Sequence, residues 1–93
     1  MVDRQQFLIR AHIETHVLET WIGEEWLIPR REAGGEEFSD ADVARAQLIR
    51  DLKADIGAND EAVGVILHLI DQLHGLRGAL RDVLRQRGAA PPD

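Results

Sequence analysis

The stretch Ala62-Val63-Gly64-Val65-Ile66-Leu67-His68-Leu69-Ile70-Asp71-Gln72-Leu73-His74-Gly75-Leu76-Arg77-Gly78-Ala79-Leu80-Arg81-Asp82-Val83 decides how this chain folds. Ala62, Ile66, Leu69, Leu73, Leu76, Leu80 and Val83 follow one another at alternating spacings of four and three. That alternation is a coiled-coil seam, and it predicts one long helix over residues 59–86, begun by Asn59 as N-cap with Asp60 and Glu61 in its first turn. A second apolar row, Val63, Leu67 and Ile70, widens the stripe early on and gives way to His74, Arg77 and Arg81. The first half is therefore expected to pack on its own domain. The second half is expected to form a helix–helix seam through Ile66, Leu69, Leu73, Leu76, Leu80 and Val83. Gly64, Gly75 and Gly78 lie off the seam and each cost up to about 1 kcal/mol relative to Ala, so the helix needs contacts beyond its own hydrogen bonds. A homodimer supplies them, and a fold-back on the same chain is the alternative.

Working back towards the amino terminus, Ser39 caps a middle helix over 39–57, with Asp40 and Asp42 favourable at its positive end. Val43, Ala46, Leu48, Ile49, Leu52 and Ile56 form its apolar face, and Gly57 is the natural stop. Before it, Gly34-Gly35 is a tight-turn signal between short charged arms, compatible with a small β-hairpin or with an unpaired loop. Pro29 ends an earlier helix over 14–25, whose Val17, Leu18, Trp21 and Ile22 share one face. Trp21 is expected in the core, whereas Trp26 either closes the domain or stands as an exposed anchor. A first short helix follows Asp3 as N-cap. The expected fold is all-α with a possible hairpin wing: a helix-turn-helix-like head (1–38), the middle helix, the long seam helix, and a flexible tail over 88–93. Together residues 1–87 form a single helical domain.

The chain has 93 residues, of which Leu, Ile, Val and Phe make up 27, enough for a thin core but too short for a second domain. Its formal charge is −6, which opposes nonspecific binding to nucleic acid or an anionic membrane. There is no cysteine, so disulfides and thiol chemistry are excluded. The absence of a signal-like start or a long apolar run predicts a cytoplasmic protein with no membrane partner.

Few residues suggest chemistry. His12-Ile13-Glu14-Thr15-His16 places two imidazoles four apart, but a zincin needs the Glu beside the first His, and Glu14 points away from both. His68 and His74, six apart, are turned away from one another. The single serine is a helix cap, and Gly34-Gly35 is flanked by acids that would repel phosphate. Neither catalysis nor a metal or cofactor is expected. Charge is more informative: residues 1–38 hold eight acids against four arginines. Such a surface is either a solvated face or a recognition surface for a basic partner, where attraction speeds encounter.

The order short helix, helix, Trp21-x4-Trp26-Leu27-Ile28-Pro29, turn, Phe38-x-Asp40-x-Asp42-x-x-Arg45 resembles the winged helix-turn-helix head of MerR-type regulators, in which the second helix reads DNA and the hairpin is the wing. Taken whole, the chain resembles the CbpM family of chaperone-modulatory proteins. The matching stretches are residues 25–29, 38–45, 48–57, 59–67 and 69–76. That resemblance implies binding to the J-domain of a CbpA/DnaJ-like co-chaperone and inhibition of its stimulation of DnaK. Glu19, Glu24 and Glu25, with Asp51 and Asp55 on the neighbouring helix, are the acidic candidates for that contact. The alternative is a MerR-like DNA-binding transcriptional regulator. DNA binding is disfavoured, because residues 14–25 contain no Lys or Arg and four glutamates.

Overall fold

The computed structural model of the chain describes residues 1–87, and the tail expected over 88–93 lies outside the described residues. The elements are α1 (Arg4–Ala11), α2 (Thr15–Gly23), β1 (Arg30–Glu32), β2 (Gly35–Glu37), α3 (Asp40–Ala54) and α4 (Asp60–Gln86). The chain is thus mostly helical, with one small antiparallel hairpin, as its patterning implied.

Each helix start has a local cause. The Gln6 N–H donates to Asp3 Oδ1 at 2.9 Å while the Asp3 N–H reaches Gln6 Oε1, closing a capping box on α1. Ser39 and Asp42 build the same device on α3: the Asp42 N–H donates to Ser39 Oγ (3.1 Å) and the Ser39 N–H to Asp42 Oδ2 (2.8 Å). Asn59 Oδ1 accepts from the Ala62 N–H at 2.8 Å at the start of α4. Helix α3 ends three residues earlier than Gly57, which takes φ +78°. That left-handed turn lets the Ala58 N–H reach back to the Leu52 carbonyl at 2.8 Å. Ile56 then falls beyond the helix and is 72% exposed, so it does not join the apolar face assigned to it.

Of the two states open for residues 30–37, the hairpin forms. Register explains why charged arms can pair: Arg30 lies opposite Glu37 and Arg31 opposite Glu36. Opposite charges directly across an antiparallel ladder attract. A bridge between Val2 and Phe38 prolongs the pairing and fixes the amino terminus beside the wing.

The chain divides into two units, residues 1–63 and a second that starts at Gly64. In the first, α1 packs on α3, and Phe7, Leu18, Leu27, Phe38, Ile49 and Val63 are fully buried. Phe7 and Phe38 stack with ring centres 4.2 Å apart. Trp21 and Trp26, 6.4 Å apart and tilted, are both buried, so Trp26 closes the domain instead of standing out as an anchor. The second unit continues α4. Leu67 is buried there, Ile66 and Ile70 are half-buried, and Leu69, Leu73, Leu76, Leu80 and Val83 are exposed. No helix among the described residues is long and apolar enough to cross a membrane.

Candidate functional site

Helices α1 and α2 are joined by a three-residue turn, and both end in the same motif. At the end of α1 the His12 N–H bonds to the Ile9 carbonyl and the Ile13 N–H to that of Leu8, with His12 left-handed at φ 57°. At the end of α2 the Glu25 N–H bonds to Ile22 and the Trp26 N–H to Trp21, each at 3.0 Å, with Glu25 at φ 62°. This double bond pattern is a Schellman stop, in which glycine is the usual left-handed residue. Here a histidine and a glutamate hold that conformation, which costs a side-chain-bearing residue about 1–2 kcal/mol. Glu25→Gly is accordingly expected to raise stability by about 0.5–1 kcal/mol, seen as a higher thermal midpoint. A lower midpoint would mean that the Glu25 side chain contributes contacts worth more than the strain.

The two-helix head and its hairpin gather around Arg4. Its guanidinium is bonded to Glu19 of α2 and, at 2.7 Å, to Glu36 of β2, while Arg31 approaches the other oxygen of Glu36 at 3.3 Å. The hydrogen bond to Glu19, then that to Glu36, holds the Arg4 pKa above its ordinary value, despite some loss from burial. One arginine therefore pins α1, α2 and the wing together at any pH at which carboxylates are ionised. Nothing local in the sequence marks it, since its partners lie 15 and 32 residues away.

The acidic candidates fall into separate settings. Glu19 is exposed yet committed to Arg4. Glu24 and Glu25, also exposed, follow α2 at its carboxyl end, and neither takes part in an ion pair among the described residues. Asp51 and Asp55 lie at the far end of α3, both exposed, where the Asp51 carbonyl accepts from Asp55 and Ile56. The seam candidates Ile66, Leu69, Leu73, Leu76, Leu80 and Val83 all lie in the second unit.

The histidines form no centre. Glu14 does not point away from both histidines, as its spacing suggested: preceding α2 in extended backbone, it brings Oε2 to 3.3 Å from His16 Nδ1. His12 is exposed in the turn, and His68 bonds Gln72 one helical turn on. Among the described residues no group of three or more side chains could hold a metal ion.

A helix pair with a tight turn, a following two-stranded wing, and two further helices together make a winged helix-turn-helix regulatory domain. Residues 2–86 match the family model of MerR HTH family regulatory proteins. The chain belongs to that family. No curated protein and no solved structure matches it.

Proposed function

We propose that this regulator acts on a protein, the J-domain of a CbpA/DnaJ-like co-chaperone, whose stimulation of DnaK it restrains by reversible binding. The observation that carries this reading is the composition of α2 and its flanks. The helix that would enter DNA carries Glu19 and no Lys or Arg, Glu14, Glu24 and Glu25 flank it, and all four glutamates are exposed. Carboxylates so placed would face a phosphate backbone with repulsion, whereas a basic helical surface on a partner would be attracted. The resemblance of residues 25–29, 38–45, 48–57, 59–67 and 69–76 to chaperone modulators supplies the identity of the partner. The working form is a cytoplasmic homodimer paired along the α4 seam, without enzymatic activity.

Calorimetric titration with a CbpA-type J-domain tests it, with a DNA-binding screen alongside. Saturable binding that weakens as salt rises is the expected result. Glu24 is the cleaner residue to reverse, because Glu19→Lys would also set a cation against Arg4 and loosen the wing. Glu24→Lys is expected to weaken J-domain binding by about threefold to tenfold and to flatten the salt dependence. An unchanged salt slope removes Glu24 from the contact. Sequence-selective DNA binding without any J-domain heat would replace the proposal with DNA-binding regulation, for which the family and the exposed Arg30 and Arg31 of the wing speak.

A further inference from the structure

We infer that a groove along α2 is a docking site for an apolar peptide segment bearing an acidic side chain, an inference that rests on the head acting on a protein. The groove encloses about 310 Å³ where α2 and its preceding turn meet the last turns of α3. Its apolar lining comes from Ile13, Val17, Trp21 and Ala54. A second hollow of about 210 Å³ shares His16, Val17, Trp21 and Lys53 with it and runs on to Thr20 and Trp26. From Ile13 to Thr20 the wall of the two hollows together spans about two turns of chain, the reach over which a bound helix sets successive apolar anchors.

Charge selects the occupant. Of the two carboxylates on the rim, Asp60 pairs with Lys53, while Glu14 lies 3.3 Å from His16 Nδ1, a contact that is ionic only when the imidazole is protonated. Lys53 is held a second time, its ammonium 5.9 Å from the centre of the Trp26 ring. Arg50 remains, exposed on the rim and without an ion-pair or hydrogen-bond partner among the described residues. In a chain of net charge −6, an apolar trough with an uncommitted guanidinium at its edge is complementary to apolar side chains next to an Asp or Glu. The planar fork of Arg suits such a carboxylate, which it can hold through two parallel bonds. The surface is distinct from Glu24 and Glu25, so an acidic face for a basic element and this groove for an acidic one would engage a partner at two points.

Selection of a random-peptide display library on the full chain tests the assignment. The expected result is enrichment of peptides that combine large apolar residues with Asp or Glu. Trp21 and Trp26 are the two tryptophans of the protein and both line the groove system, so binding should shift their fluorescence. Arg50→Ala should weaken the selected peptides by about tenfold or more, the usual effect of losing one charged hydrogen-bonding partner. Ala54→Arg, at an exposed position, should obstruct the trough while leaving the circular dichroism and the thermal midpoint unchanged. Absence of enrichment overturns the inference, as do peptides whose affinity neither substitution alters. The peptide result stands apart from the J-domain titration: either can fail while the other succeeds.

Discussion

On the proposed seam dimer, the wild-type chain is expected to sediment as a dimer at tens of micromolar and Leu73→Glu as a monomer, with its helix content largely kept. The seam explains the size of the effect. Leu69, Leu73, Leu76, Leu80 and Val83 are 46–68% exposed in the single chain, an apolar row along a helix that has no covering partner there. Each large side chain fully removed from water contributes about 1.5–3 kcal/mol. Five such positions, with the half-buried Ile66 beside them, are therefore comparable with an association cost of about 4–15 kcal/mol. A carboxylate in the middle of that row would have to be desolvated or would hold the helices apart, which is expected to weaken pairing at least a hundredfold. Leu80→Glu should act alike, whereas Arg81→Glu, off the seam, should leave the dimer in place. Sedimentation across a concentration series decides it. A wild-type monomer at tens of micromolar would end the dimer proposal and leave the exposed row to some other occupant.

Phe38→Ala should have the largest effect on the first unit, a loss of about 3–5 kcal/mol measured by denaturant unfolding. The ring has no exposure, stacks on Phe7 and stands at the junction of the wing with α3. Its backbone is also committed, with the Phe38 N–H donating to the Val2 carbonyl at 2.8 Å and the Phe38 carbonyl accepting from the Val2 N–H at 2.9 Å. Removing the ring leaves a cavity bordered by groups that cannot all close in. A domain of this size has only about 5–10 kcal/mol of total stability, so a large fraction of it would be lost. Phe38→Leu, which keeps more of the volume, should cost markedly less. Equal losses for the two substitutions would show that the site relaxes around either residue and that the stacked pair adds little.

The Glu24→Lys effect on partner binding is smaller than either of these, yet it bears most directly on function. It separates a solvated acidic face from a recognition surface, a distinction that exposure and charge do not make by themselves. The strained Glu25 lies next to it in the chain. A carboxylate kept where glycine is the usual residue is consistent with a use for that side chain, and the stability of Glu25→Gly measures the strain independently of any partner.

Much of this architecture was legible in the residues alone. Asp3, Ser39 and Asn59 mark the starts of α1, α3 and α4 because a cap is a contact between residues three apart, and such contacts are written in adjacent letters. The seam spacing of α4 was legible for the same reason, as was the lack of cations on α2. Tertiary structure decided the rest. It settled the wing as a hairpin, since Arg30 and Arg31 meet Glu37 and Glu36 only once the turn at Ala33-Gly34 sets the register. It placed Trp26 inside, beside the Trp21 already expected there, and put Ile56 outside. It buried Val63 and Leu67 from the second row of α4 and left Leu69, Leu73, Leu76, Leu80 and Val83 of the seam row exposed. The Arg4 hub and the groove with Arg50 on its rim had no counterpart in any local pattern. Periodicity and capping are short-range and survive in the sequence, but which of two apolar rows is covered, and which charges meet, depend on segments far apart in the chain that only the folded packing brings together.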